Sequence, residues 1–144
     1  DFVGARFVRP VIDSKTFTGR VWSRDEFFSW RLRVPAALLD VEVQVAPVQE
    51  LVAETRSWVV RGVCVDSCTY ARGGRGWLSR DVPDDLTDFV RARCAEWQPH
   101  ETFVVEVAQT PHGLRAIEVN TFNAASLYAG DAQRLVAALM EAYE

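Results

Sequence analysis

The sequence predicts an α+β fold with mostly antiparallel strands and helices between them. Short segments that alternate apolar and polar residues, or are rich in Val, recur along the chain and are typical of strands. Three longer segments repeat their apolar residues at helical spacing. Strands and helices in this order are typical of the α+β class.

Seven strands are predicted, at Ala5–Arg9, Gly19–Trp22, Val41–Ala46, Glu54–Arg61, Val63–Tyr70, Thr102–Gln109 and Leu114–Asn120. Three helices are predicted, at Arg24–Leu32, Pro83–Trp97 and Asp131–Tyr143. Ser23 is a suitable N-cap for the first helix. We expect the aromatic and Met stripes of these helices, Met140 among them, to lie in the core. Three Gly and three Arg in the segment 71–80 predict a mobile loop.

The composition is that of one globular domain. The chain has 144 residues, 49% hydrophobic and 25% charged, and domains usually have about 100–200 residues. The net charge of −4 argues against a nucleic-acid partner bound through a basic face. No apolar run approaches the ~20 residues that span a bilayer, so we expect no membrane partner and a cytoplasmic location. The composition and charge of the sequence do not indicate an oligomeric state.

Three cysteines, Cys64, Cys68 and Cys94, are an odd number at spacings that fit neither a disulfide framework nor a zinc site. Cys64 and Cys68 fall on one predicted strand, roughly 13 Å apart, which is too far for a disulfide bond. We expect three free cysteines.

The hairpin between the strands at 102–109 and 114–120 is the most informative feature. A loop symmetric about His112 places Glu106 directly opposite Glu118, with Asn120 farther along the same face and the small Ala108 and Ala116 continuing it. Opposed carboxylates repel each other unless something positive lies between them. Two carboxylates and an amide oxygen suit Mg²⁺ or Mn²⁺. The alternative is a solvated face with an exposed Glu pair.

The other hairpin turns at Arg61-Gly62, and a two-residue turn there pairs Val60 with Val63. This alternation places Glu54, Arg56, Trp58 and Val60 on one face.

The basic residues are almost all arginine, with 15 Arg and one Lys, Lys15. Either the genome favours Arg codons, or a compact ammonium is needed at this position, for example to reach a phosphate.

The Glu118-x-Asn120 strand end, preceded by an acidic residue on the neighbouring strand, resembles the metal-binding end of ATP-grasp enzymes. Further segments resemble one phage and bacterial clade of that family, named for its two arginines and one lysine. They are Phe7-Val8-Arg9-Pro10 with the Lys15 segment, Glu54-Thr55-Arg56, Cys68-Thr69-Tyr70, and Leu127-Tyr128-Ala129-x-Asp131. The resemblance covers nearly all of the chain, with the motifs in the right order.

The chain departs from the family pattern in two respects. The family more often has Asp where this chain has Glu106, which keeps the charge on a longer arm. Its members also usually carry an N-terminal region before the ATP-grasp portion. We therefore expect this chain to correspond to a C-terminal portion, with part of the substrate site contributed by the missing region.

The resemblance implies a smaller nucleotide lobe at about 1–52, a metal-binding lobe at about 53–144, and ATP between them. Gln49, Glu50 and Leu51 would read the adenine edge, and Glu54 would accept hydrogen bonds from the ribose. The alternative for residues 49–51 is an ordinary linker between the lobes, and the alternative for Glu54 is a surface residue at the start of a strand.

The same resemblance implies that Lys15, Arg9 and Arg56 would act at the phosphates or at the substrate carboxylate. For Arg56 the alternative is a cross-strand salt bridge, and for Arg9 it is a purely structural role at a strand end. Asn123, Ser126 and Tyr128 would face the acceptor.

The implied reaction is ATP-dependent joining of a carboxylate to an amine through an acylphosphate. Mg²⁺ or Mn²⁺ would be held by Glu106, Glu118 and Asn120. The carboxylate would belong to a small molecule or a peptide, and the partner would be an amine acceptor. Two further hypotheses stay open at this point: a nucleotide-binding module without turnover, and an α+β interaction domain that binds no ATP.

Overall fold

The computed structural model describes residues 4–12 and 16–144. Lys15 lies outside the described residues. The chain divides into two compact units, residues 1–49 and 50–144. The division lies beside the predicted lobe boundary at residue 52, but the assignment of the units as nucleotide and metal lobes stays a prediction.

The first unit is a small antiparallel sheet with one helix. Its strands, in the order β2-β1-β3, are β1 (Arg6–Pro10), β2 (Arg20–Trp22) and β3 (Val43–Pro47). Helix α1 (Arg24–Arg31) is capped by Ser23, whose side chain accepts from the Glu26 backbone N–H while the Glu26 carboxylate accepts from the Ser23 backbone N–H. This reciprocal pair is a capping box. The buried Trp22 ring packs against the rings of Phe27 and Trp30.

The second unit is a five-stranded antiparallel sheet with a helix on each face. Its strands run in the order β6-β5-β4-β7-β8. They are β4 (Ala53–Val60), β5 (Val63–Arg72), β6 (Arg75–Ser79), β7 (Thr102–Thr110) and β8 (Gly113–Thr121), with helices α2 (Leu86–Glu96) and α3 (Ala132–Tyr143). The α+β prediction is confirmed.

Two apolar clusters fix the faces of this sheet. Leu86, Val90 and Cys94 of α2 pack on one face against Phe103 and other apolar residues of β4, β7 and β8. Leu135 of α3 packs on the opposite face with Trp58, Cys68 and Val104. Since Glu106 follows Val104 by two residues on β7, its side chain is on the α3 face.

The turn at Arg61-Gly62 matches the prediction, with φ of +47° and +79° and Val60 paired with Val63. Two positive φ values in succession are typical of a type I′ hairpin turn. Farther along, β5 contains a bulge, because Thr55 pairs with Thr69 but Glu54 pairs with Ala71. Tyr70 is the extra residue.

The predicted pairing of the β7–β8 hairpin is correct only in the part farthest from the turn, from Phe103–Thr121 to Glu106–Glu118. Glu106 does pair with Glu118, but the next pair is Val107 with Ala116, because Ile117 forms a bulge. The loop is a two-residue turn at Pro111-His112, not a loop symmetric about His112. Ala116 therefore turns to the opposite face, where it lines a groove with apolar residues of β7 and β8.

Three other predictions need correction. The segment 71–80 is not a loop throughout, since Arg75–Ser79 forms strand β6 and pairs with β5 across a turn at Gly73-Gly74. Helix α2 begins at Leu86, after Pro83. Met140 lies on α3 but is 57% exposed, because the buried face of that helix is centred on Leu135. The aromatic residues of α1 are also not buried.

The cysteine prediction is confirmed: Cys64, Cys68 and Cys94 are free. Within residues 4–12 and 16–144, the helices are too short or too polar to cross a bilayer.

Candidate active site on the five-stranded sheet

A buried ion pair lies at the centre of the α3 face. Arg56 on β4 pairs directly with Glu106 on β7, and its Nη2 donates to Glu106 Oε1. Both residues are 6% exposed. The sequence predicts something positive between Glu106 and Glu118, but the guanidinium lies on the β4 side of Glu106, away from Glu118 on β8. The cross-strand salt bridge, the alternative interpretation of Arg56, is therefore the observed geometry, while a role at phosphates stays a prediction.

Tyr70 joins this pair to a second carboxylate. Its hydroxyl oxygen lies 2.7 Å from Glu106 Oε2 and 3.1 Å from Glu54 Oε2. Burial, together with the charge and hydrogen bonds of both carboxylates, raises the pKa of the Tyr70 phenol well above its usual value. Tyr70 belongs to one of the clade motifs, but the sequence predicts no role for it. Its special position arises from the β5 bulge, which strand periodicity does not reveal.

The predicted metal ligands lie beside this network. Glu118, which is exposed, faces Glu106 across the β7–β8 pairing. The Asn120 amide nitrogen is 3.3 Å from Glu106 Oε1. Rotation of that amide would present its oxygen to the same space. Two carboxylates and a carboxamide oxygen are a hard, oxygen-only donor set of the kind that Mg²⁺ and Mn²⁺ prefer.

The local charge also fits a divalent cation. Glu54, Glu106 and Glu118 are three acidic groups on this face, whereas Arg56 contributes one positive charge to the network. A metal ion with two positive charges would balance the remainder. In the described part of the chain, no three His, Cys, Asp or Glu side chains are grouped as around a bound metal. The predicted set of two carboxylates and one carboxamide does not require such a group.

The segment after β8 closes over the ion pair. Arg56 Nη1 donates to the Ser126 carbonyl at 2.8 Å. Tyr128 stacks on Tyr70 with ring centroids 5.0 Å apart, and the Arg56 guanidinium lies 4.5 Å from the Tyr128 ring centroid. Ser126 and Tyr128 are therefore brought to Arg56, while Asn123 is exposed in a short 3₁₀ turn at Phe122–Ala124. Facing an acceptor remains a prediction for all three.

Asp66 fixes the end of the same segment. Its carboxylate is 2% exposed and accepts from Arg80 at 3.0 Å. It also accepts from the Asp131 backbone N–H at 2.7 Å, and Arg80 donates to the Ala129 carbonyl at 3.2 Å. Asp131 in turn caps α3. These contacts hold the C-terminal end of the segment that carries Ser126 and Tyr128.

The other residues that are predicted to contact the nucleotide lie in separate parts of the chain. Arg9 lies on β1 and pairs with Gln44. Gln49, Glu50 and Leu51 follow β3 in irregular backbone, with Gln49 and Glu50 exposed. Their roles at adenine and phosphate stay predictions, as does that of Lys15.

A protein-family model matches almost the whole chain. Residues 1–139 match the model of an ATP-grasp domain, the third family of the clade named for two arginines and one lysine. The chain belongs to the ATP-grasp family. The resemblance inferred from its motifs is confirmed, and the match spans all of the clade segments from Phe7 through Asp131. No curated protein matches the sequence significantly.

Solved structures of the ATP-grasp ligase PsnB share the fold. PsnB complexed with a minimal precursor is 15% identical with a TM-score of 0.64, over 99% of this chain and 49% of PsnB. A complex with a phosphomimetic precursor variant, Mg and ADP is 14% identical, with a TM-score of 0.64, over 97% and 47%. A complex with the precursor peptide PsnA2 and AMPPNP is 15% identical, with a TM-score of 0.63, over 97% and 46%. The chain thus spans about half the length of this ligase.

Proposed function

We propose that this ATP-grasp chain is the catalytic portion of an ATP-dependent ligase that joins a carboxylate to an amine. The observation that carries the proposal is the Glu106, Glu118 and Asn120 donor set beside buried Arg56, in a chain of this family. The excess negative charge of this face favours a divalent cation over an unmetallated surface.

The proposed reaction has two steps. An oxygen of the substrate carboxylate attacks the γ-phosphorus of ATP, the bond to the β–γ bridging oxygen breaks, and ADP leaves. The amine nitrogen then attacks the acyl carbon, inorganic phosphate leaves, and the nitrogen loses a proton. Such chemistry depends mainly on positioning and on neutralising charge at the phosphoryl oxygens.

Each residue has a defined task in this proposal. Glu106, Glu118 and Asn120 would hold Mg²⁺ or Mn²⁺, which would supply positive charge to the phosphate oxygens. Glu54 would accept hydrogen bonds from the ribose. Arg56 offers a planar guanidinium suited to carboxylate or phosphate oxygens. Lys15 and Arg9 are proposed to add positive charge at the phosphates.

Two features of PsnB guide the choice of ligands. That ligase is seen with Mg and ADP and with a precursor peptide. We therefore propose that peptide carboxylates be tested before other carboxylates, with ADP release as the readout.

The first experiment is a thermal shift of the chain with ATP, with and without Mg²⁺, beside Glu118→Gln. Ligand at about 100 times Kd should stabilise the fold by ~2.7 kcal/mol, which is a shift of several degrees for a domain of this size. We expect a Mg²⁺-dependent shift that Glu118→Gln abolishes and that Glu141→Gln, an exposed charge removal on α3, retains. An equal shift in Glu118→Gln would overturn the metal assignment.

A second comparison concerns the phosphates. Lys15→Ala is expected to weaken ATP more than AMP, since AMP lacks the outer phosphates. Equal weakening of both would place Lys15 elsewhere. ATP binding without ADP release, in the presence of carboxylates and amines, would favour a nucleotide-binding module without turnover.

A further inference from the structure

Tyr70 occupies a position that packing alone does not require. It is the extra residue of a β-bulge in β5, and bulges near functional sites re-aim side chains. The bulge directs a phenol hydroxyl between two carboxylates, at 2.7 Å from Glu106 and 3.1 Å from Glu54. The stacked Tyr128 ring, 5.0 Å away between centroids, holds the phenol in place.

The hydroxyl has one hydrogen to donate, and two carboxylates converge on it. A second acceptor at 3.1 Å therefore competes with the first for the same hydrogen. Any group that donates new hydrogen bonds to Glu54 relieves this competition. The Tyr70 hydrogen is then committed to Glu106, and the carboxylate of Glu106 is held in one orientation.

We propose that Tyr70 is a positioning residue that couples ribose binding at Glu54 to metal binding at Glu106. This inference rests on the proposed function, in which Glu54 reads the ribose and Glu106 helps to hold the metal. Hydrogen bonds that orient a metal-binding side chain typically change metal affinity by about 10–100-fold. Through Tyr70, ribose binding at Glu54 affects metal binding at Glu106 even when the ligand carries no phosphate group.

The test uses Mn²⁺ and adenosine, because adenosine has the ribose hydroxyls but no phosphate that could bind the metal. Mn²⁺ affinity is measured by the EPR signal of the free ion, with and without saturating adenosine. We expect adenosine to tighten Mn²⁺ binding by at least about fivefold, within the usual range of coupling between sites. Because such coupling is reciprocal, Mn²⁺ must tighten adenosine by the same factor.

Two changes should remove the coupling. In Tyr70→Phe the stacked ring is kept but the hydroxyl is lost, so adenosine and Mn²⁺ should each bind without affecting the other. In the unmodified chain, 2′,3′-dideoxyadenosine should bind without tightening Mn²⁺, because it cannot donate to Glu54. The control is Tyr143→Phe, which removes a phenol hydroxyl bonded to Thr102 at 3.0 Å, outside this network, and should leave the coupling intact.

The outcomes separate the two proposals. Independent binding of adenosine and Mn²⁺ in the unmodified chain would overturn the role of Tyr70 and leave the ligase proposal standing. Coupling that persists in Tyr70→Phe, or with dideoxyadenosine, would also overturn that role. A chain that binds neither ligand would overturn both proposals. The dideoxyadenosine comparison needs no variant, so it decides the matter even if Tyr70→Phe fails to fold.

Discussion

The buried Arg56–Glu106 pair permits a double-mutant cycle on the stability of the fold. The variants are Arg56→Met, Glu106→Gln and the two combined. Each single change leaves one partner buried without its counter-charge, since the two side chains are 8% and 7% exposed. The double change removes both charges and keeps side chains of similar length.

The structure sets the expected magnitude. Breaking one side of a buried pair typically costs about 3–5 kcal/mol. We expect about 3 kcal/mol for Arg56→Met, the lower end, because Glu106 keeps Tyr70 at 2.7 Å and Asn120 at 3.3 Å. Glu106→Gln should cost a similar amount, since Arg56 keeps the Ser126 carbonyl at 2.8 Å. Replacing a whole buried pair is often nearly neutral, so the double variant should lose at least about 2 kcal/mol less than the sum.

The assay is urea unfolding followed by tryptophan fluorescence, with the buried Trp58 as a reporter next to the site. The control cycle is Arg93→Met with Glu96→Gln, an exposed ion pair on α2 with side chains 44% and 62% exposed. Exposed pairs contribute about 0.2–1 kcal/mol, so this cycle should show little coupling. Additive losses at Arg56 and Glu106, within about 0.5 kcal/mol, would refute the interpretation of a desolvated ion pair.

Three further predictions concern stability. Gly130→Ala should cost about 1–3 kcal/mol, because a Cβ there would lie 2.6 Å from the buried Trp58 ring; an unchanged urea midpoint would contradict this. Asp66→Asn should cost about 2 kcal/mol, since hydrogen bonds to charged groups contribute about 1.5–3 kcal/mol, and it should speed proteolysis of the segment before α3; wild-type proteolysis would refute it. Burial raises the pKa of the Cys68 thiol, and burial with two carboxylates raises that of the Tyr70 phenol. The unfolded chain therefore loses these protons at a lower pH than the folded chain does. The stability that the two groups contribute is fully present below about pH 8.5, and above it the free energy of unfolding falls by up to about 1.4 kcal/mol per pH unit for each group. Tyr70→Phe should remove the part of the fall that begins near pH 10 in urea unfolding; an unchanged fall would contradict the assignment.

Strand periodicity predicts most of this sheet correctly, because local alternation determines which face a side chain occupies. Glu54, Arg56 and Trp58 share a face as expected, and the Arg61-Gly62 turn forms with the two positive φ values that such a turn requires. The pairing of Glu106 with Glu118 is also correct. That pairing survives even though the predicted loop is wrong, since the extra residue of the assumed loop is offset by the bulge at Ile117.

The remaining features depend on tertiary contacts that no local pattern encodes. The hairpin 102–121 predicts something positive between Glu106 and Glu118, whereas the positive neighbour that Glu106 has is Arg56, which lies outside the hairpin. The neighbour comes from β4, which lies beside β7 only because the sheet order places it there. Tyr70 reaches the same carboxylate through a bulge, and a bulge changes the face of a residue without changing the residue types around it.

Helix faces illustrate the same limit. The apolar spacing in α3 predicts a buried stripe, and Leu135 is buried, yet Met140 is 57% exposed. Leu135 packs against Trp58 and Cys68, and contact with this small cluster needs only a narrow strip of the helix. The width of a buried face is thus set by the partner surface rather than by the helix itself.

Several features of the α3 face carry a cost in stability that a purely structural surface would not need. A buried ion pair is often no more stable than apolar residues of similar volume. Opposed carboxylates such as Glu106 and Glu118 repel each other, and Tyr128 adopts a φ of +50°, which costs a non-glycine residue on the order of 1–3 kcal/mol. Departures from local consistency concentrate at functional sites. These costs meet around Arg56, the residue that contacts both the Glu106 carboxylate and the segment after β8. The physical chemistry of the sheet therefore points to the same place as the family motifs, by an argument that does not use them.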